Sequence, residues 1–418
     1  RFLVRCKYME TIEGFFRNII ISWRRIRRWQ GRNEAEFEDD LMHSFKTAMQ
    51  TLLVLALEEN EEIKSKRLEL LILALNHDIS EACVGGDIIA PIKKDPRMLG
   101  IIDEIEAEEF DKYFSVLPSS AFNYLKAVNR IQGDKEKVAG RFFQAIEYFG
   151  YSMFSLAEAA SEKSPENTRQ FRKVLINHHE KFLKLCDEFP SFKLLYGPFI
   201  PQVVSNEAVD AWNFEISLRR IIGAWESSRA WPEFSTEETV LDRTMKTAML
   251  ASILLPIETE IRKEKGEKEL DGFKILSCAL VHNIAKSFVG VLSYRLKTHP
   301  KFPHRAAREI EREYFLKIID KFPAPAKALM IESFDLEHDS GSQEGRFFDA
   351  IKVFSYATFA LYEYEHGNEQ YKEILMNCYP RLMEHSGEFK SFDMFFIPIR
   401  HRIESIVEER PRLWSKLK

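Results

Sequence analysis

Residues Leu71–Pro91 read LILALNHDISEACVGGDIIAP. An apolar run from Leu70 to Leu75 carries the pair His77-Asp78 to the end of a buried helical turn. Glu81 follows at the spacing that puts it near the same helix face as Asp78. Gly85-Gly86 then break the helix, and Asp87 lies just beyond the break. An imidazole and a carboxylate beside an apolar core are costly to bury without a partner. A divalent metal is the partner that suits both groups as ligands, whereas the bland alternative is a polar helix end at the surface.

Outward from this stretch, apolar residues recur at helical spacing almost everywhere and alternating strand patterns are nearly absent. Helices are predicted over Thr11–Trp29, Glu36–Leu57, Lys66–Asp78, Ile101–Phe114, Ser120–Ile131, Lys135–Ala160 and Glu166–Glu188, with Pro91, Pro96, Pro118, Gly133, Pro165 and Pro190 between them. The expected fold class is all-α.

The chain also repeats itself. His43-Ser-Phe-Lys-Thr-Ala-Met49 matches Arg243-Thr-Met-Lys-Thr-Ala-Met249, and Ala74-Leu-Asn-His77-Asp78 matches Ala279-Leu-Val-His282-Asn283. Gly140-Arg-Phe-Phe-Gln-Ala-Ile146 matches Gly345-Arg-Phe-Phe-Asp-Ala-Ile351, and Ser191-Phe-Lys matches Ser391-Phe-Asp. Four matches in one order and nearly one register define two tandem copies of one helical domain. The boundary is expected between residues 206 and 207, giving domains 1–206 and 207–418 packed as a pseudo-dimer, with further oligomers compatible. The change of register falls in the charged stretch Arg262–Leu270, which reads as a loop with an insertion. His43 becomes Arg243, Asp78 becomes Asn283, Glu81 becomes Lys286, and only His282 survives of the polar set. The second copy keeps the packing residues and loses the polar ones together, as expected if they work as a unit in the first.

Of 418 residues, 45% are apolar and 30% charged, ordinary values for a globular chain of two or three domains. A net charge of −5 argues against a general nucleic-acid binder. The local exception is Arg24, Arg25, Arg27, Arg28 and Arg32 around Trp23 and Trp29, which reads either as a phosphate-binding cluster or as a solvated helix face. Cys6, Cys83, Cys186, Cys278 and Cys378 are scattered and odd in number, pointing to free thiols and a cytoplasmic compartment. No apolar stretch has the length of a membrane span.

With a histidine upstream of His77-Asp78, the first copy resembles the HD-domain metal-dependent phosphohydrolases, and most of all the HD-domain 5′-deoxynucleotidases. The resemblance takes in Glu38–Ser44, the His-Asp-x-x-Glu run, a Gly-Asp, Pro91-Ile92-Lys93 and Arg28-Trp29. It implies that His43, His77 and Asp78 hold a divalent cation, with Co, Mn, Mg and Zn all open. It implies further that Glu81 handles the attacking water, that Asp87 positions the leaving group, and that Arg28, Trp29 and Lys93 contact a nucleotide or other phosphate ester. The family's last ligand belongs to a Lys-x-Ala-Asp motif, and the corresponding run here is Lys137-Val-Ala-Gly140. Glycine cannot ligate, so three ligands are expected; Gln144 is a poor substitute and Glu147 stands two turns on, roughly 10 Å along the axis. One residue more than in the family separates Glu81 from Asp87, which displaces that carboxylate.

Two readings of function follow. One is a metal-dependent phosphohydrolase acting on nucleoside 5′-monophosphates through the first copy. The other is a catalytically inactive HD-fold protein serving as a nucleotide-sensing, scaffold or interaction module. The pair His178-His179 in a charged helix reads as solvated, and Phe142-Phe143 and Phe347-Phe348, present in both copies, read as core.

Overall fold

The computed structural model describes residues 12–408 apart from 30–33, 35–36, 87–91, 93–94, 99, 161–163, 198–213 and 229–237. The described residues form helices joined by turns and loops, with an isolated bridge between Arg27 and Asp39. Copy one runs α1 (Ile12–Arg25), α2 (Asp40–Leu55), α3 (Glu61–Ser65), α4 (Arg67–Asn76), α5 (Ile79–Val84), α6 (Ile101–Phe114), α7 (Ser119–Gly133), α8 (Val138–Ala160), α9 (Pro165–Glu188) and α10 (Ser191–Tyr196). Copy two runs α11 (Phe214–Ser227), α12 (Val240–Lys265), α13 (Gly272–Val281), α14 (Lys286–Val289), α15 (Tyr294–Thr298), α16 (His304–Ile319), α17 (Ala324–Leu336), α18 (Gln343–Glu365), α19 (Tyr371–Glu388) and α20 (Lys390–Glu408).

The repeat extends to individual bonds. Glu58 accepts a hydrogen bond from the Ser191 hydroxyl, and Glu258 accepts one from Ser391 at 2.7 Å. Arg141 grips Glu188 as Arg346 grips Glu388. The Trp23 indole donates to the Asp78 carbonyl at 3.2 Å, and Trp225 donates to the Asn283 carbonyl at 3.1 Å. Both indoles are fully buried, and each pins the turn that carries the His-Asp or His-Asn pair. The charged stretch after Arg262 departs from expectation: α12 continues as helix to Lys265 and closes on Gly266, whose positive φ of 68° suits a glycine C-cap. Arg262–Lys265 therefore belong to the helix, and the loop is confined to Gly266–Asp271.

Every residue of α2 is buried, because helices of both copies surround it. Contacts between the copies are reciprocal. Arg17 of α1 lies over the Tyr362 ring and 3.6 Å from Glu363 on α18. Arg219 of α11 lies over the Phe154 ring and 2.7 Å from Glu158 on α8. Arg24 adds a bond to Glu226 at 2.7 Å and pairs with Asp242. One apolar core runs through both copies, and each fully buried aliphatic or aromatic side chain in it contributes roughly 1.5–3 kcal/mol. The expected boundary at residue 206 lies outside the described residues.

Candidate metal and phosphate site

Local structure explains how α2 and the α4–α5 junction converge. Asp39 caps α2, its carboxylate accepting from the Met42 amide at 2.8 Å. The segment after α1 pairs with the residues leading into α2, through Arg28 N–H to the Glu38 carbonyl and Asp40 N–H to the Ile26 carbonyl. Arg28 and Trp29 are thereby laid over the first turn of α2, one turn before His43. On the facing side α4 ends at Asn76, and His77 and Asp78 occupy the bend before α5. α5 ends at Gly85, whose left-handed backbone, φ +87°, is a conformation few side chains tolerate, and Gly290 in copy two shares the positive φ, at 73°, with a different ψ.

His43, His77 and Asp78 come together there, each buried, with one donor atom apiece all within 4.8 Å of one another. Asp78 Oδ2 lies 3.2 Å from His77 Nε2, 3.7 Å from His43 Nε2, and 2.7 Å from Arg28 Nη1. The ring Nδ1 of His77 is 3.0 Å from the Ala74 carbonyl, which can only accept. The proton is therefore fixed on Nδ1, and Nε2 is the atom turned to the cluster. Burial and then the Arg28 charge hold the His43 imidazole well below its ordinary pKa, so it is neutral. Burial works against the Asp78 carboxylate, yet His77 and Arg28 hold it well below the usual range, so it is ionised. For His77 burial is outweighed by Asp78 and Glu147, which raise it, so a cation and a proton compete at the same nitrogen. Neutral imidazole and ionised carboxylate are the forms that ligate, and the donor set fits a divalent cation.

Gly140 does not face this cluster. A Cβ there would overlap the backbone carbonyl of Asp134, and Gly345 stands in the same relation to Asp339. The glycine is needed for the close turn into α8 or α18. The residue of α8 at the site is Glu147. Phe143, one turn earlier, sets its ring 5.6 Å from that of His77. Tyr151, one turn later, stacks along His43 at 6.4 Å. Glu147 lies on that face, and His77 and Asp78 are the leading charges acting on it: burial raises its pKa, His77 lowers it and Asp78 raises it, for a net rise.

The other expected residues divide. Glu81 is buried on α5, where its charge helps Asp78 and burial push the Asp40 carboxyl up to about 9. Arg28 reaches both Asp78 and Asp40 and so stands in the cluster. Trp29 has a left-handed backbone, φ 58°, and its ring is committed: it stacks on Phe154 at 4.7 Å and donates to Glu38 at 2.7 Å. The arginine cluster does not act as one patch, since Arg24 crosses to copy two and Arg27 pairs with Glu34. Asp87, Lys93 and Arg32 lie outside the described residues. His178 is not simply solvated; it is half-buried, with its ring 5.6 Å from that of Tyr151. Sequence reasoning missed Tyr151 and Asp40 and discounted Glu147, although Phe143, Glu147 and Tyr151 share one helical stripe.

A family model of the YfbR-like 5′-deoxynucleotidases matches residues 15–203 and again residues 218–402. The chain belongs to this family. A curated relative, the 4′-phosphooxetanocin A phosphatase of Priestia megaterium, is 30% identical over 112 residues, 27% of this chain and 57% of that protein. The match thus spans little more than half of the relative's length. No described helix is long and apolar enough to cross a membrane.

Proposed function

We propose that copy one is a metal-dependent phosphomonoesterase acting on nucleoside 5′-monophosphates, and that copy two, as a domain of residues 207–418 against 1–206, completes an intramolecular pseudo-dimer. The observation that carries the first part is the His43–His77–Asp78 cluster with Glu147 on the adjoining helix face. The reciprocal Arg17–Glu363 and Arg219–Glu158 contacts support the second, since a two-fold interface pairs each patch with its own equivalent.

His43, His77 and Asp78 would hold the cation, and Glu147 is the side chain placed to complete their set. A bound divalent ion supplies Lewis acidity toward a phosphoryl oxygen and lowers the pKa of water. Arg28 sits beside Asp78 and offers a guanidinium fork to the phosphate. Glu81 takes the proton of the attacking water, in a setting where neighbouring Asp40 is itself held protonated near neutrality. Asp87 and Lys93 are assigned the leaving group and the phosphate by the family motif alone.

The test is phosphate release from deoxynucleoside 5′-monophosphates with Co²⁺, Mn²⁺, Mg²⁺ or Zn²⁺. Turnover that requires the ion and is lost in His77→Ala is expected. A cooperatively folded protein that binds no ion by calorimetry and releases no phosphate would overturn the reading in favour of a non-catalytic module.

A further inference from the structure

The residues of copy two that replace the metal set change sign together. His43, Asp78, Glu81 and Glu147 correspond to Arg243, Asn283, Lys286 and Lys352. Three carboxylates have become one amide and two ammonium groups, and an imidazole has become a guanidinium. Over this position opens a cavity of about 740 Å³, a size typical of small-ligand sites. Among the described residues its wall carries Arg243, Lys286, Lys297 and Arg381 against one carboxylate, Glu373.

Part of this charge is answered within the protein. Lys352 turns to Glu337 at 3.1 Å, Arg381 pairs with Asp349, and Arg243 lies 3.6 Å from Glu238, which Lys246 shares. Lys286 and Lys297 differ. Among the described residues no carboxylate lies within ion-pair distance of either, and the Lys286 ammonium donates to the neutral Asn283 side chain. Asn283 is itself fixed by donating to Thr244 at 2.9 Å. The amide that replaces Asp78 thus aims a half-buried lysine. Arg243 is stacked 3.6 Å over the Tyr356 ring, which presets its guanidinium at the cavity wall. The local field is strongly positive: burial would push the Tyr356 phenol up, yet Arg243, Lys286, Lys297 and Lys352 bring it down to about 8.

We infer that copy two carries a metal-independent binding site for a phosphate-bearing anion of up to nucleotide size, with Lys286, Lys297 and Arg243 taking the phosphate. Ammonium and guanidinium groups in a partly enclosed cavity form charge-assisted bonds to phosphate oxygens without an intervening ion. The site is independent of catalysis in copy one and stands or falls separately.

Calorimetric titration of the full chain in excess EDTA tests it, with inorganic phosphate and with a deoxynucleoside 5′-monophosphate as separate probes. One EDTA-resistant site per chain is expected, unchanged in His77→Ala and weakened about tenfold or more by Lys297→Met and by Lys286→Met. Tighter binding of the nucleotide assigns the cavity beyond the phosphate to its nucleoside, and equal binding assigns the site to free phosphate. Loss of all binding in EDTA or in His77→Ala, or unchanged affinity in both lysine variants with native circular dichroism, would overturn the inference.

Discussion

His77 and His282 occupy one position in two copies of one fold. Each ring nitrogen Nδ1 lies 3.0 Å from the carbonyl three residues back, and each ring packs on a phenylalanine of equivalent helices, Phe143 of α8 or Phe348 of α18. Their charge behaviour is opposite. Asp78 and Glu147 raise His77 despite burial, whereas burial with Lys286 and Lys352 nearby brings His282 down to about 3. Packing at this turn is therefore independent of its chemistry. The buried indole, the carbonyl bond and a positive-φ glycine build the turn, and the polar residues around it are free to bind a cation or an anion.

The sharpest way to break the comparison is to remove the same side chain from each copy. His77→Ala is expected to lower metal-dependent turnover by roughly a thousandfold or more, and His282→Ala to leave turnover unchanged, as read by phosphate release. Equal losses would mean that the copies share one site.

The second test contrasts Gly140 with Glu147. Glu147→Ala is expected to weaken metal binding about 10- to 100-fold at nearly unchanged stability, read by calorimetry. Gly140→Asp restores nothing in this account. Its Cβ meets the Asp134 carbonyl, so it should cost about 3 kcal/mol in a denaturant melt. Tighter metal binding in Gly140→Asp would return the ligand position to residue 140.

These cases show where the sequence was legible. The helical class followed from periodicity, since a helix fixes which residues share a face, and the duplication followed from the internal matches, whereas the grouping of His43 with His77-Asp78 rested on the family resemblance. The role of Gly140 did not follow, because a motif aligned by identity carries no record of which way a Cβ points. The stacking of Trp29 on Phe154 and its bond to Glu38 were not legible for a related reason: they depend on contacts between separate elements. The change of sign at Lys286 was visible as loss, but its gain of function needed the cavity and Lys297 beside it.

The two inter-copy arginines are related by the repeat but differ in burial. Glu158 is fully buried, while Glu363 keeps some contact with water. Arg219→Ala should therefore cost about 2–3 kcal/mol, by leaving a buried carboxylate with a weakened partner set, and Arg17→Ala about 1 kcal/mol or less. Equal costs in chemical denaturation would show that the interface is more nearly symmetric in energy than its burial suggests.

The smallest effect is a titration. Tyr356 and Tyr151 are equivalent in the repeat, yet burial raises the Tyr151 phenol while four cations bring Tyr356 down to about 8. A phenol whose folded pKa lies below its unfolded value near 10 favours the folded state once ionised. Its contribution is complete above pH 10 and disappears as pH falls through about 8. Ultraviolet difference titration should show one phenolate appearing near pH 8, absent in Tyr356→Phe and retained in Tyr151→Phe. Phosphate in the cavity would neutralise the lysines that stabilise the phenolate, so saturating phosphate should move this midpoint upward in the presence of EDTA. A midpoint that ignores phosphate would separate the tyrosine from the anion and leave its field to the protein's own charges.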